Sequence, residues 1–214
     1  MFGRASNSLS FERVRLRLMS AGLLSIGNGG TAIALTSRTR GEGVSTVAAG
    51  LVSAMGIAEP GHVLVLDVDS SNKRVRDILQ VQAEVVKLED LGETDGDVSE
   101  RVTRIKELGV DLLAVTVSDC PPVTLAERTG ALLEQLRARY RITVIDVGAI
   151  SGRDAHCWLT CGDHSVLVVD TTTTTREALE RLQIELEQFR ITLSGFILNK
   201  RAYHVPELFY RLLS

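Results

Sequence analysis

The stretch TSRTRGEGVSTVAAG, residues 36–50, decides the fold of this chain. It begins in the last two residues of an apolar run, TAIALTS (residues 31–37). It ends inside a helix-forming segment, STVAAGLVSAMGIA (residues 45–58). A phosphate-binding loop needs this order, because its backbone N–H groups close around anionic oxygens in front of a helix N-terminus. The stretch therefore predicts a buried strand, a phosphate loop and a helix.

The loop matches the pattern G-x-x-x-x-G-K-[ST] only in part. Gly43 holds the last glycine position and Ser45 the position whose hydroxyl binds magnesium, but Arg38 replaces the first glycine and Val44 the lysine. A hydrogen bond to a charged group is worth roughly 1.5–3 kcal/mol, so losing the lysine should weaken nucleotide binding about ten- to a hundredfold. Phosphoryl transfer should suffer more, because the charge grows in the transition state.

Another cation could supply the missing charge. Arg38 and Arg40 lie in the loop itself, and Lys73 and Arg74 follow the next predicted strand. The alternative is that these side chains are solvated surface charges. An arginine fork is longer and flatter than a lysine ammonium, so a replacement would be imperfect.

Three aspartates stand at strand ends. HVLVLDVD (residues 62–69) carries Asp67 and Asp69, and RITVIDVGA (residues 141–149) carries Asp146. The carboxyl ends of parallel strands meet at one edge of a sheet, where carboxylates can hold magnesium or a reacting hydroxyl. The alternative is that each one caps the following helix.

Apolar strand segments alternate with amphipathic helices along the chain. Further strands are predicted at VDLLAVTV (110–117), HSVLVVDT (164–171) and LSGFILNK (193–200), and five threonines, 171–175, suit a loop and a helix N-cap. This pattern predicts an α/β fold with a mostly parallel central sheet flanked by helices on both faces, in three layers. Residues 1–214 would form a single domain, with residues 1–30 as an N-terminal helical arm.

Composition excludes several function classes. A net charge of −3 gives no reason to expect nucleic acid as a partner. No apolar run approaches the roughly 18 residues of a membrane span, and the N-terminus lacks the apolar core of a signal peptide. We therefore expect a cytoplasmic protein that reaches a membrane only through a partner.

The three cysteines do not form a disulfide framework. His156, Cys157, Cys161 and His164 lie close together in sequence and could bind a metal, although their spacing is not a familiar zinc pattern. Buried thiols on a helix are the competing interpretation.

The order of these segments resembles the bacterial tyrosine kinases of polysaccharide export, a family of P-loop NTPases related to the partition and septum-site ATPases. The resemblance runs from about residue 10 to the end. It rests on five segments: GEGVSTVAAGL, VLVLDVD with Lys73 and Arg74 after it, LLEQLRARYRITVIDVG, SVLVVDTTTTTREALERL and GFILNK.

The resemblance implies roles for individual residues. Asp67, Asp69 and Asp146 match the family's catalytic aspartates, and Ser45, Asp69 and Asp146 would hold Mg²⁺. Asn199 matches an asparagine that reads the adenine edge. Residues 38–46 match the Walker A loop, and its contacts with ATP or ADP would come from Arg40, Gly41, Glu42, Gly43, Val44, Ser45 and Thr46.

The departures from the family are equally specific. Val44 makes the Walker A motif degenerate, Val147-Gly148-Ala149 replaces the usual residues after the third aspartate, and only Tyr203 and Tyr210 lie near the C-terminus. We expect MgATP or MgADP to bind weakly or not at all. The expected function is that of a pseudokinase subunit of exopolysaccharide synthesis and export. Its partner would be an inner-membrane polysaccharide co-polymerase, a related kinase or its own copies; an active kinase or ATPase with a rewired loop is the alternative.

Overall fold

The computed structural model describes residues 3–24, 29–69, 72–91, 98–118, 120–152 and 154–200, with side chains from residue 11 onward. These residues form one sheet with helices on both faces. The helices are α1 Gly3–Ser20, α2 Val44–Ala58, α3 Arg74–Leu79, α4 Pro122–Arg139, α5 Ala155–Cys161 and α6 Arg176–Gln188. The strands are β1 Thr31–Ser37, β2 Val63–Asp67, β3 Val85–Lys87, β4 Thr103–Ile105, β5 Val110–Thr116, β6 Ile142–Ala149, β7 His164–Asp170 and β8 Leu193–Asn199.

The sheet has the strand order β3-β5-β2-β6-β1-β7-β8. All neighbours along this path are parallel, and β4 pairs antiparallel with the same edge of β5 that β3 uses. The predicted mostly parallel sheet is therefore confirmed. Because β1 lies between β6 and β7, the loop that follows β1 opens where ligands bind in such sheets.

Two apolar cores pack on the two faces of the sheet. Alternate residues of β1 separate cleanly: Ala32 and Ala34 face the core under α4, α5 and α6, whereas Ile33 and Leu35 face the core under α1 and α2. All four side chains are almost completely buried. Burial on both faces explains why the central strands read as continuous apolar runs, and it confirms the predicted three layers.

The N-terminal arm packs on its own domain. The Phe11 ring lies directly against Gly50 of α2, where even a single added carbon atom would overlap the ring. Leu18 and Leu24 are buried in the core beneath α2. The helix α1 spans Gly3–Ser20, within the predicted helical arm of residues 1–30.

Residues 72–108 contain elements that the sequence pattern did not reveal. The helix α3 has six residues, and β3 and β4 have three each. Strands this short at a sheet edge bury single residues, Val86 and Ile105, so they carry no apolar run. The acidic segment 87–100 forms short 3-10 turns at Leu88–Asp90 and Val98–Glu100. Tyr203 and Tyr210, the two tyrosines near the C-terminus, lie outside the described residues.

Candidate functional site

The phosphate-loop candidate connects β1 to α2 at the carboxyl edge of the sheet. Gly43 precedes the first residue of α2 with φ 101°, a left-handed conformation that side chains other than hydrogen rarely tolerate. A Cβ atom there would also overlap the Asn199 side chain. No side chain caps the first N–H groups of α2, since Gly43 has none to offer. The loop thus has the backbone that an anion site requires.

Glu42 ties the loop together through its buried carboxylate. One oxygen, Oε1, accepts hydrogen bonds from Thr39 N at 2.9 Å and Thr39 Oγ1 at 2.8 Å. The other, Oε2, accepts from Asp170 N at 3.2 Å and Thr174 Oγ1 at 3.3 Å. The glutamate side chain therefore bridges the loop to the end of β7, a role that the sequence pattern did not indicate.

The end of β8 also holds the loop. The Asn199 amide donates to the carbonyl of Glu42 at 2.8 Å. Lys200 donates to the carbonyl of Gly41 at 2.7 Å and to Asp170 at 2.8 Å. In this state the Asn199 amide supports the loop, and its contact with an adenine ring stays a prediction. The sequence pattern did not predict a role for Lys200 or Asp170, because the residues beside them in the chain do not indicate a contact with Gly41.

Val44 occupies the lysine position as a core residue. It is the first residue of α2, only 6% exposed, and it belongs to the apolar cluster between α2 and the sheet. A buried valine provides no charge for phosphate oxygens. The four residues that could replace the lysine charge differ in solvent exposure. Arg38 is partly buried, whereas Arg40, Lys73 and Arg74 are exposed.

Arg38 has an unsatisfied donor. Its Nε atom is buried and lacks a hydrogen-bond partner among the described residues. A buried N–H without a partner costs roughly 1–3 kcal/mol, so such a group is suited to donate a hydrogen bond to a ligand oxygen. Among the four candidate cations, Arg38 is the one with a buried donor that lacks a partner among the described residues, so it is the best placed to bind a phosphate oxygen.

The aspartates converge as predicted. Asp67 of β2 and Asp146 of β6 are partners in the parallel register, so their side chains leave neighbouring strands at the same level. The backbone N–H of Asp69 reaches the carbonyl of Asp146 at 3.4 Å, and the Asp69 carboxylate accepts a bond from Asn72 at 2.5 Å. The three carboxylates form one acidic group beside the loop.

Asp146 is the most strongly perturbed member of this group. Burial raises its pKa to about 7, the negative charges of Asp67 and Asp69 add to the rise, and a hydrogen bond with Ser45 opposes it. Its Oδ1 atom is buried and has no hydrogen-bond partner in the part of the chain that the structure describes. Ser45 and Asp146 therefore lie in contact, as the predicted magnesium site requires.

Asp67 is already paired. Its carboxylate accepts a 2.9 Å hydrogen bond from Nε of the buried Arg76 on α3. Burial raises the pKa of Asp67, and the Arg76 guanidinium partly offsets that rise. The Arg76 guanidinium therefore compensates the negative charge of one of the three carboxylates.

The donor set fits magnesium. Mg²⁺ usually takes one or two carboxylates and keeps several waters, and Ser45, Asp69 and Asp146 supply a hydroxyl and two carboxylates. Within the described part of the chain no group of three His, Cys, Asp or Glu side chains could hold a metal by itself. A cation here would therefore depend on water and phosphate oxygens for its remaining ligands.

Gly148 explains one departure from the kinase pattern. Its φ of 72° lies in the left-handed region, and a Cβ atom would come within 2.7 Å of the Asp69 carboxylate. Its carbonyl accepts a 3.0 Å bond from Thr36 Oγ1. The pairing of β1 with β6 skips Val147 at this point. The glycine in Val147-Gly148-Ala149 therefore leaves room for the Asp69 carboxylate beside β6.

The histidines and cysteines do not gather into a metal site. Cys157 and Cys161 lie on α5, whereas His164 lies on β7 and its Nδ1 is 3.3 Å from Ser194 Oγ. The structure shows Cys157 and Cys161 as free, partly buried thiols on a helix. None of the helices in the described ranges is both long and apolar enough to cross a membrane.

Comparisons with known proteins place the fold. No protein-family model matches the chain, and no curated protein does. The kinase domain of Escherichia coli tyrosine kinase ETK is 20% identical with a TM-score of 0.73, covering 92% of this chain and 78% of that one. The VpsO kinase domain is 22% identical with a TM-score of 0.73, covering 94% of this chain and 100% of that one.

A septum-site ATPase is also similar. MinD from Pyrococcus horikoshii, solved in complex with Mg-ADP, is 21% identical with a TM-score of 0.60, covering 84% of this chain and 75% of that one. At these identities the likeness concerns the fold. The chain therefore has the fold found in these bacterial tyrosine kinase domains and in MinD.

Proposed function

We propose that this protein is a non-catalytic relative of the exopolysaccharide tyrosine kinases and works as a cytoplasmic regulatory or assembly subunit of polysaccharide synthesis and export. The carrying observation is Val44: the position where a phosphate loop needs an ammonium is a buried core residue. The surrounding loop and strand ends retain a nucleotide-binding architecture. Contacts rather than turnover would then carry the function.

The loop's own bonds support this proposal. Glu42, Asn199 and Lys200 hold the loop to β7 and β8 through hydrogen bonds within the chain. A loop held in this way keeps its conformation without phosphate, as a subunit that acts through its surface requires. The proposed partner is an inner-membrane polysaccharide co-polymerase or a related kinase, and self-association is the other arrangement we consider. The protein would be peripheral to the inner membrane through that partner.

A second candidate function rests on Arg38. Its buried, unpaired Nε could meet a phosphate oxygen and supply part of the charge that Val44 lacks. The protein would then be an active ATP-dependent tyrosine kinase or ATPase with a rewired loop. In that case Asp67, Asp69 and Asp146 would serve as its catalytic carboxylates, with Mg²⁺ bridging the acidic group and the phosphates.

Calorimetric titration with MgADP and MgATP separates the two. The native protein, Val44→Lys and Arg38→Ala are compared, and thermal unfolding of each variant shows whether it is folded. Little or no heat from the native protein, with binding by Val44→Lys, supports the non-catalytic subunit. Micromolar binding by the native protein that Arg38→Ala abolishes overturns it in favour of the enzyme, as would magnesium-dependent ATP turnover that Asp69→Ala removes.

A further inference from the structure

The three cysteines of the chain line one groove. It has a volume of about 730 Å³ and lies between the start of α4, the helix α5 and the residue that follows α6, Phe189. Cys120, Cys157 and Cys161 all contribute to its wall, and all three are free and partly buried. Residues 38–46 of the phosphate loop do not line it. The groove is thus distinct from the candidate nucleotide site.

Two of these thiols are held against α4. Cys157 and Cys161 are four residues apart on α5, so they lie one above the other on the same face of the helix. The Sγ of Cys157 is 3.5 Å from Thr129 Oγ1, and the Sγ of Cys161 is 3.9 Å from the carbonyl oxygen of Ala126. Both sulfurs therefore have defined positions beside the groove.

The neighbours of the two sulfurs make Cys157 the more reactive thiol. Cys157 Sγ lies beside the Thr129 hydroxyl, which can donate to a thiolate, whereas Cys161 Sγ lies beside the Ala126 carbonyl oxygen, which can only accept and so favours the protonated thiol. A hydrogen bond from Cys161 lowers the pKa of Cys157, and the Thr129 hydroxyl contributes in the same direction, while burial and the Asp154 charge oppose them. The same bond raises the pKa of Cys161, as does burial. Because the thiolate is the nucleophile in thiol chemistry, Cys157 is the member of the pair that attacks.

We propose that this groove is a thiol-modification site, in which Cys157 forms a mixed disulfide with a low-molecular-weight disulfide of the size of glutathione disulfide. The groove volume falls within the range of roughly 300–1,000 Å³ that small-molecule sites occupy. The Cys157 thiolate attacks one sulfur of the ligand, and a new S–S bond forms to that sulfur. The ligand's own S–S bond breaks, and its other half leaves as a thiolate that takes a proton from water.

Helix geometry favours the mixed disulfide over a bond between Cys157 and Cys161. Side chains four apart on a helix have Cβ atoms about 5–6 Å from each other, whereas a disulfide needs roughly 3.5–4.5 Å. Closing that bond would require the last turn of α5 to distort. The Cys161 thiol acts instead as a positioning residue, through the hydrogen bond that it gives to Cys157.

Intact-mass spectrometry of the reduced full-length chain, treated with glutathione disulfide, tests the proposal. We expect one glutathione per chain, mapped to Cys157 by peptide analysis and removed by a reductant. Cys157→Ser should abolish this fast reaction, and Cys120→Ser should leave it unchanged. Cys161→Ala should slow it about tenfold because the hydrogen bond is lost, while Cys161→Ser, which keeps a hydroxyl donor, should restore most of the rate.

The peptide map of the native protein needs no variant and decides the matter if a variant misfolds. An adduct mapped chiefly to Cys120 or Cys161 would overturn the proposal, as would equal labelling of all three cysteines in folded and urea-unfolded protein. Loss of two hydrogen atoms without an added glutathione would identify a Cys157–Cys161 bond and would overturn the mixed disulfide as the product.

Discussion

The side-chain amide of Asn199 donates a 2.8 Å hydrogen bond to the carbonyl of Glu42, joining the end of β8 to the phosphate loop. Lys200 adds a 2.7 Å bond to the carbonyl of Gly41 and a 2.8 Å bond to Asp170. The carbonyls of two consecutive loop residues therefore accept hydrogen bonds from the last residue of β8 and from the residue that follows it.

Lys200→Ala should loosen the loop without unfolding the domain. The substitution removes the donor to Gly41 and the ion-pair partner of Asp170, so local opening of residues 39–43 should become several-fold more frequent. Hydrogen exchange followed by mass spectrometry measures this opening. Lys106→Ala, an exposed lysine in the turn before β5, is the matched control. Equal exchange of the loop in both variants would contradict a restraining role for Lys200.

Asp146→Asn should change how stability depends on pH. Because the folded protein raises the pKa of Asp146 to about 7, while an unfolded aspartate titrates near about 3.9, the folded state keeps a proton that the unfolded state has released. The contribution of Asp146 to the free energy of unfolding is therefore present below about pH 4 and is lost as the pH rises through about 7.

Asparagine mimics the neutral acid at every pH. Relative to the native protein, Asp146→Asn should therefore gain at least about 1 kcal/mol of stability between pH 5 and pH 8 in magnesium-free buffer. Urea unfolding at the two pH values gives the difference. A stability gap that stays constant between them would show that Asp146 is ionised throughout, which would contradict the raised pKa.

Gly148→Ala should destabilise the protein by about 1–2 kcal/mol. The residue has a φ of 72°, and the added Cβ would press on the Asp69 carboxylate. The same substitution at Gly130 of α4 meets nothing within 4 Å and should stabilise the helix by about 0.5–1 kcal/mol. Chemical unfolding of the two variants side by side checks the opposite signs; a neutral Gly148→Ala would show that β6 and Asp69 can readily move apart.

Gly50→Ala should report whether α1 is packed on α2 in solution. In the native background the added methyl group meets the Phe11 ring, so we expect a loss of roughly 1–3 kcal/mol from overpacking. In the Phe11→Ala background the clash is absent, and the better helix propensity of alanine should leave the change neutral or stabilising by up to about 1 kcal/mol. This double-mutant cycle uses urea unfolding. Additive effects of the two substitutions would mean that the arm does not rest on α2.

Much of the fold could be predicted because its central strands are buried on both faces. The runs TAIALTS and VLVLD have burial at every position, and both appear as strands with little change in their bounds. The N-cap of α6 was also predictable, since Thr175 accepts the bond from Ala178 N that its position suggests. The short edge strands β3 and β4 could not be predicted, because they owe their conformation to pairing with β5.

The candidate site was predictable in part. Strand-end aspartates in parallel strands must share an edge, so the meeting of Asp67 with Asp146 followed from the pattern alone. The partners of these groups did not follow. Arg76 reaches Asp67 from a six-residue helix, and the Glu42 carboxylate reaches Asp170 over a separation of 128 residues. No local spacing encodes such contacts.

The sequence by itself determined the strand-loop-helix order, the alternation that makes a covered parallel sheet, and the absence of a lysine at residue 44. These are properties of neighbouring residues, and local periodicity and side-chain charge express them directly. Only the tertiary structure decided that Val44 is a core residue, that Arg38 Nε has no partner among the described residues, and that Cys120 shares one groove with Cys157 and Cys161. Burial and hydrogen-bond partnership depend on which segments the sheet brings together, and this is settled only when the whole chain packs.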